Sequence, residues 1–195
     1  LYLLTPFSLL FTYLTNRRRK KFIKNKSLSY KSNVPIIIVG NITIGGTGKT
    51  PLVAYIAKEL SKLGYKPGLV SRGYGGKFKE TLQVNDETPV KKTGDEAQIL
   101  AKLNLPFYID KNRVRAVKTL VDNHDCDVII SDDGLQHYSM GRDIEIVLID
   151  GKRRFGNNLT FPAGPLREST TRLKDADFIV NNSGPTQDDE YLMNI

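Results

Sequence analysis

The stretch that most constrains the fold of this chain is IIIVGNITIGGTGKTPLVAYIAKEL, residues 36–60. An apolar run typical of a buried strand leads into a glycine-rich loop, and the loop leads into apolar residues spaced as on one face of a helix. A P-loop has this order, and its backbone N–H groups and helix N-terminus receive phosphate oxygens. A glycine-rich strand-to-helix turn without a ligand is the alternative interpretation.

The loop departs from the Walker A pattern G-x-x-x-x-G-K-[ST] at one position, because Thr43 stands where the first glycine belongs. Lys49 and Thr50 keep the side chains that this pattern places on the β- and γ-phosphates and on Mg²⁺. We therefore predict that Lys49 is catalytic and that Thr50 is a metal ligand. The predicted nucleotide-binding residues are Gly45, Gly46, Thr47, Gly48, Lys49 and Thr50.

From residue 34 onwards, β-branched runs alternate with helical patterns at 50–63, 95–103 and 112–123. Further strands are predicted in KPGLVSRG, LPFYID, CDVIISDDG, IEIVLIDG and ADFIVNNSG. This alternation predicts an α/β fold, a P-loop NTPase-like and mainly parallel sheet with helices on both faces. Ligands of such sheets bind at the carboxyl ends of the strands. The polar residues 81–93 are predicted to form an exposed loop.

A second part of a nucleotide site is predicted where DVIISDDG places Asp132 and Asp133 at the end of a buried strand. This is a Walker B arrangement, in which one carboxylate joins the Mg²⁺ shell. A simple turn is the alternative for two adjacent aspartates. The GTPase motifs D-x-x-G and N-K-x-D are absent, and Ile44 replaces the extra lysine of partitioning ATPases. Neither of those two classes is supported.

The formal charge of +8 favours an anionic partner, and much of it lies in RRRKKFIKNK, directly after the apolar run LYLLTPFSLLFTYLTN. A secretory signal has the reverse order, and residues 1–14 are too few to span a bilayer, which takes about 20. We expect residues 1–24 to contact an anionic membrane surface, with Arg17 to Lys21 on the headgroups. A helix packed on the core is the alternative, and nucleic acid is not expected because the apolar run would gain nothing on a phosphate backbone.

The domain organisation follows from the same contrast between the two ends of the chain. We expect an amphipathic, basic membrane-interface segment at 1–33 and a P-loop core domain at 34–195. The single Cys126 allows no internal disulfide, so a reducing cytoplasm is the expected compartment.

Five motifs give the chain a specific resemblance to a known family. GNITIGGTGKTP, SRGYGG, GDEAQILA, DDGLQH and FPAGPLRE occur in the order and spacing of the tetraacyldisaccharide 4′-kinases of lipid A biosynthesis. The resemblance implies ATP-dependent phosphorylation of the 4′-hydroxyl of a tetraacylated glucosamine disaccharide 1-phosphate, at the cytoplasmic face of the bacterial inner membrane. Family members are longer, and their further C-terminal portion holds a histidine that pairs with the catalytic aspartate. We therefore expect a fragment or a shortened homologue, in which neither His124 nor His137 replaces that histidine.

The resemblance also implies residue roles. It makes Asp95 the catalytic base and Glu96 its acidic neighbour near Mg²⁺, whereas the residues alone favour a helix cap by Thr93 or Asp95. Polar residues that follow strands or lie on the rigid PAGPLRE loop are candidates for substrate binding, and these are Arg72, Tyr74, Gln136, His137, Arg167 and Glu168. A structural role is the alternative for each of them. A P-loop switch acting on a protein partner, or a nucleotide-binding module without catalysis, are the alternative functions.

Overall fold

A central sheet of eight strands organises the computed structural model, which describes residues 2–194 and side chains from residue 3. The strands are β1 Ile36–Gly40, β2 Pro67–Ser71, β3 Leu82–Gln83, β4 Phe107–Ile109, β5 Val128–Asp132, β6 Ile144–Asp150, β7 Phe178–Asn182 and β8 Glu190–Met193. Their order across the sheet is β3-β4-β2-β5-β1-β6-β7-β8. All neighbours pair in parallel except β3 and β4, so the predicted mainly parallel sheet is confirmed.

The central strands are buried on both faces, as their continuous apolar runs predict. Every residue of β1, β2 and β5 is buried. Gly40 ends β1 where a Cβ atom would come within 2.5 Å of Leu135 Cβ. The absence of a side chain at Gly40 therefore lets the segment after β5 cross close to the end of β1. This close approach brings the two predicted parts of the nucleotide site together.

Five α-helices accompany the sheet in the described part of the chain, and they are α1 Thr5–Lys24, α2 Lys49–Lys62, α3 Val90–Thr93, α4 Asp95–Ala101 and α5 Arg113–Asn123. The three predicted helices of the core are confirmed to within two residues. Gly64 follows α2 with φ of +88°, which suits the predicted glycine stop. The Asn112 side chain caps α5 by accepting a hydrogen bond from the Arg115 N–H at 3.3 Å.

The prediction of an exposed loop at 81–93 is wrong in part. Strand β3 and the single turn α3 both lie within it. Val84 is buried, and its N–H donates to the Phe107 carbonyl at 2.8 Å. Edge pairing with β4 therefore overrides the polar composition of this segment. Strand β8 was also missed, because PTQDDEYLMNI carries turn residues and no long apolar run.

Helix α1 lies against the core through both hydroxyl and aromatic side chains. Ser8 is only 1% exposed, and its hydroxyl donates to the Thr160 carbonyl at 2.7 Å and accepts from the Ala163 N–H at 2.8 Å. Further along the helix, Phe22 stacks on Tyr138 with ring centroids 6.0 Å apart. The side chains that α1 turns to solvent include Phe7, Leu9, Leu10, Tyr13, Leu14 and Ile23.

The basic cluster continues α1 without a break. Arg17, Arg18, Lys20 and Lys21 are exposed, whereas Arg19 is less exposed and forms an ion pair with Asp175. None of the described helices is both long and apolar enough to cross a membrane. Leu1, the first residue of the predicted interface segment, lies outside the described residues.

Candidate active site

The P-loop, residues 43–50, connects β1 to α2 and has the backbone that its glycines predict. Gly45 and Gly48 have φ of +101° and +90°, a region that favours glycine. Lys49 and Thr50 begin α2 and are both buried. Phosphate-binding N–H groups and the lysine therefore converge at the N-terminus of α2.

Thr43 is accommodated without strain at the position of the missing glycine. It is not among the described residues with positive φ, so its β-branched side chain meets no backbone conflict. Its hydroxyl accepts a hydrogen bond from Asn41 Nδ2 at 3.4 Å, and its backbone forms a bridge with Leu166. The loop is thus entered from an extended, paired segment, which does not need glycine.

Asp132 ends β5 and Asp133 follows it directly beside the P-loop, since Val39 of β1 pairs with Asp132 in register. Asp132 is 1% exposed, and its Oδ1 atom has no hydrogen-bond partner among the described residues. The pKa of the Asp132 carboxyl is raised to about 7, mainly by burial and also by the neighbouring Asp133 carboxylate, while the charge of Lys49 acts in the opposite direction. An unpartnered carboxylate oxygen beside a phosphate loop is suited to a cation.

Asp133 lies between two cations. Its carboxylate accepts from Arg167 Nη1 at 2.8 and 3.1 Å and is 3.7 Å from Lys49 Nζ. The predicted site residues Lys49, Asp133 and Arg167 are therefore brought together, although Arg167 comes from a loop 34 residues further along the chain. Arg167 reaches this place because its N–H pairs with the Ile42 carbonyl at 2.7 Å.

The residues present fit a magnesium ion held jointly with a nucleotide. Mg²⁺ is commonly bound by one or two carboxylates together with substrate phosphates and water. Asp132, Asp133 and the Thr50 hydroxyl are the protein groups at the P-loop that match this donor set. Within the described residues there is no group of three or more His, Cys, Asp or Glu side chains that could hold a metal by itself. Phosphate and water oxygens would therefore have to complete the shell.

Asp95 and Glu96 are exposed at the first turn of α4, and neither caps it. The N-cap position is Gly94, and no side chain makes a capping hydrogen bond there. Thr93, the other capping candidate, instead donates to the Gly94 carbonyl at 3.2 Å. A helix cap is therefore not the role of either side chain in this structure. The charge of Glu96 also contributes to the raised pKa of Asp132, which places α4 near the end of β5.

The turn SRGYGG packs against the start of α4. A Cβ atom at Gly94 would lie 1.9 Å from the Tyr74 carbonyl oxygen, so only glycine permits this approach. Arg72 and Tyr74 themselves are exposed, and the Tyr74 side chain points to solvent. The charge of Arg72 lowers the pKa of Arg113 and His137, which places it at the same edge of the sheet. Both residues are free to meet a ligand above the strand ends.

Gln136 and Glu168 are engaged inside the protein. Gln136 Nε2 donates to the Asn41 carbonyl at 3.0 Å and to Glu168 Oε2 at 3.2 Å. Glu168 is buried and also accepts a hydrogen bond from the Tyr138 hydroxyl. In this structure both side chains therefore brace the segment that leads into the P-loop, and their predicted contact with substrate stays a prediction.

His137 faces the same region as a neutral imidazole. The pKa of His137 is lowered to about 4, mainly by burial and also by the charges of Arg113 and Arg142. Its Nε2 atom is buried and has no hydrogen-bond partner among the described residues. The ring therefore offers an uncharged polar atom beside the strand ends.

Sequence reasoning missed Arg113, the first residue of α5. Arg113 is 3% exposed, and its Nη2 atom donates to the Asp133 carbonyl at 3.2 Å. Burial lowers its pKa to about 10, and the opposite charge of Asp133 works against this shift. The available signal was its position shortly after β4, where polar residues of a parallel sheet face the ligand edge.

Comparison with protein families identifies the chain. The model of the family described as Tetraacyldisaccharide-1-P 4'-kinase matches residues 1–194. The chain belongs to this family. It is 50% identical to the tetraacyldisaccharide 4'-kinase of Shewanella denitrificans over all of its own length and 59% of the relative. It is also 48% identical to that of Methylobacillus flagellatus, over 99% of this chain and 58% of the relative. The chain thus spans about three fifths of the relatives' length.

Solved structures agree with the family membership. LpxK from Aquifex aeolicus, solved in complex with ATP, superposes with a TM-score of 0.85 at 31% identity, over 97% of this chain and 63% of that chain. A signal recognition particle 54 kDa protein from Aeropyrum pernix, in complex with GDP, shares the fold with a TM-score of 0.51 at 14% identity, over 82% of this chain and 38% of that one. The sheet and P-loop are therefore of the P-loop NTPase type. The tetraacyldisaccharide 4'-kinase family uses this fold over the part that the chain covers.

Proposed function

We propose that this chain supplies the ATP-binding part of a lipid kinase that phosphorylates the 4′-hydroxyl of a tetraacylated glucosamine disaccharide 1-phosphate. The observation that carries the proposal is the convergence of Lys49, the orphaned Asp132 carboxylate and the Asp133–Arg167 pair around the P-loop. Family membership selects the acceptor, because this geometry is common to many phosphoryl transferases.

Each side chain has a role that its position supports. Lys49 holds the β- and γ-phosphates, and its charge stabilises the transferred group. Thr50, Asp132 and Asp133 would hold Mg²⁺, which supplies charge neutralisation when bound. Asp95 accepts the acceptor's hydroxyl proton with Glu96 beside it. Its exposure and the absence of a capping bond support this role.

The lipid acceptor is reached from the exposed edge of the sheet. Arg72, Tyr74, Arg167 and His137 lie at or near the carboxyl ends of the strands and would receive the sugar phosphate and the disaccharide. Gln136 and Glu168 would act there through the P-loop segment that they brace.

The enzyme would act at the cytoplasmic face of the bacterial inner membrane as a peripheral protein. Helix α1 supports this location, because its apolar side chains point outward and exposed basic residues follow them. An interfacial helix buries such side chains at the acyl boundary while its basic residues meet anionic headgroups.

The deciding experiment measures ATP binding together with transfer of radiolabelled phosphate to the disaccharide acceptor in detergent. The chain is assayed alone and joined to the C-terminal portion of the Shewanella denitrificans relative, since it covers 59% of that protein. We expect ATP binding in both forms and transfer in the joined form. ATP hydrolysis without transfer to lipid would favour a switch acting on a protein partner. ATP binding without either reaction would indicate a non-catalytic module.

A further inference from the structure

Three successive carbonyl groups of the P-loop are held by side chains from three different strand ends. The donors are Asn41 Nδ2 to Gly45 O at 3.5 Å, Arg153 Nη2 to Gly46 O at 2.5 Å and Asn182 Nδ2 to Thr47 O at 3.1 Å. Asn41 follows β1, Arg153 follows β6 and Asn182 ends β7. Of the three donors, only the Arg153 guanidinium is charged.

The direction of a carbonyl decides the direction of the next N–H group. The C=O and N–H of one peptide plane point in opposite directions, so holding the Gly46 carbonyl fixes the Thr47 N–H on the other side. A Cβ atom at Gly46 would meet nothing within 4 Å, so no close packing surrounds this residue on that side. A glycine this free samples many conformations unless its backbone is held.

Arg153 is itself held in place. Its Nε atom donates to Asp150 Oδ2 at 2.5 Å, and its own backbone N–H donates to Asp150 Oδ1 at 2.9 Å. The guanidinium is thus committed to one carboxylate and one carbonyl. It lies over the loop, since a Cβ atom on Gly45 would come within 3.3 Å of Nη1.

We propose that Arg153 is a positioning residue of the nucleotide site, which aims the P-loop N–H groups at the phosphates through the Gly46 carbonyl. The proposal rests on the proposed nucleotide-binding function. The N–H groups that Arg153 orients surround phosphates that ADP and ATP share. Loss of Arg153 should therefore weaken the binding of ADP and of ATP by the same factor. A residue that contacts the γ-phosphate itself would instead affect ATP alone.

The test compares Arg153→Gln with Lys152→Gln by calorimetric titration of ADP and of ATP. Lys152 is the exposed neighbour on the same turn, so its replacement removes the same charge without the bond to Gly46. We expect Arg153→Gln to raise both dissociation constants about tenfold, the factor typical of a lost charge-assisted hydrogen bond. Lys152→Gln should change them less than twofold.

Asn182→Ala is the second variant, which keeps the proposal testable if Arg153→Gln fails to fold. It removes the donor to Thr47 and should weaken ADP and ATP in parallel. Three results would each overturn the proposal. Arg153→Gln could weaken the binding of ATP but not of ADP, or it could fold and leave both affinities unchanged. Lys152→Gln could also raise the dissociation constants as much as Arg153→Gln does. If the joined form binds nucleotide but transfers nothing to lipid, the proposed kinase function fails, while the titrations still decide this inference. Absence of any nucleotide binding in the parent would overturn both.

Discussion

Helix α1 and the P-loop region distribute polar and apolar side chains in opposite ways. Around the P-loop, apolar strands are buried and several of the polar side chains among them are bonded to one another, as in Asn41 with Thr47 or Gln136 with Glu168. On α1 the buried residue is Ser8, whereas Leu9 and Leu10 are 63% and 55% exposed. The helix therefore has the reverse of the pattern that a water-soluble surface helix shows.

The opposite distribution of polar and apolar side chains indicates that the two regions interact with different surroundings. Helix α1 meets the core through hydroxyl groups and through the rings of Phe11 and Phe22, while its exposed leucines stay available to another apolar medium. In the candidate nucleotide site, loss of one partner of a buried hydrogen bond leaves the other partner unsatisfied, which costs stability. Substitutions in the two regions should consequently differ in what they damage.

The largest effect is expected at the centre of the nucleotide site. Lys49→Ala should lower kcat/KM for phosphate transfer by about 10³-fold or more, because the lost charge acts on the transferred phosphate. Folding should survive, since Asp133 keeps its bonds to Arg167. Steady-state kinetics with a thermal melt checks both points, with the exposed Lys58→Ala of the same helix as the control. Near-normal turnover in Lys49→Ala would remove the kinase interpretation.

Asp95→Asn should act on the transfer step and leave nucleotide binding intact. We expect kcat to fall by about 10²-fold or more with little change in the KM for ATP, as for loss of a general base. The exposed Asp122→Asn is the matched control. If Asp95→Asn instead lowered stability by about 0.5–2 kcal/mol and left turnover intact, Asp95 would be a helix cap, although the structure shows no capping bond at Gly94.

Substitution of the basic residues of α1 tests the proposed contact of this helix with an anionic membrane surface. Replacing Arg17, Arg18, Lys20 and Lys21 by Gln should weaken binding to anionic vesicles by about 10²-fold or more, since each contributes about 1 kcal/mol near such a surface. Arg19 is kept because it pairs with Asp175. Co-sedimentation at rising salt measures the effect, and ATP affinity should stay constant.

The matched control replaces four exposed lysines elsewhere, Lys58, Lys79, Lys91 and Lys102, and should bind vesicles almost as well as the parent. Equal losses in the two quadruple variants would show that only net charge matters. Full binding by the α1 variant would contradict the proposed anchor.

The smallest expected effect concerns the stability of the vesicle-free protein. Ser8→Leu should cost about 2–4 kcal/mol, because it leaves the Ala163 N–H without its partner and overfills a packed contact. Leu10→Asp should change stability by no more than about 0.5 kcal/mol, as for an ordinary surface position. Denaturant titration of both variants measures the difference. The opposite ranking would mean that α1 docks through its leucines.

The elements that carry the candidate nucleotide site could be predicted from the sequence because each of them is local. The P-loop, the Walker B pair and the helix carrying Asp95 each lie within about ten residues, where spacing and glycines specify the backbone. Arg113 and the bracing by Gln136 and Glu168 could not be anticipated in this way. Each depends on a partner from a distant strand or loop, and no local pattern states which strands become neighbours.

The amino-acid sequence by itself determined the strand and helix periods, the P-loop and the basic segment after an apolar run, because these depend on neighbours along the chain. Only the tertiary structure decided that Thr43 can replace glycine, that Arg153 lies over the loop and that α1 turns its leucines outward. These outcomes depend on contacts such as Ser8 with Thr160, 152 residues apart. The apolar run of residues 1–16 does not show which face of α1 is buried. Hydrogen bonds with the distant loop around Thr160 favour the orientation in which Ser8 is buried.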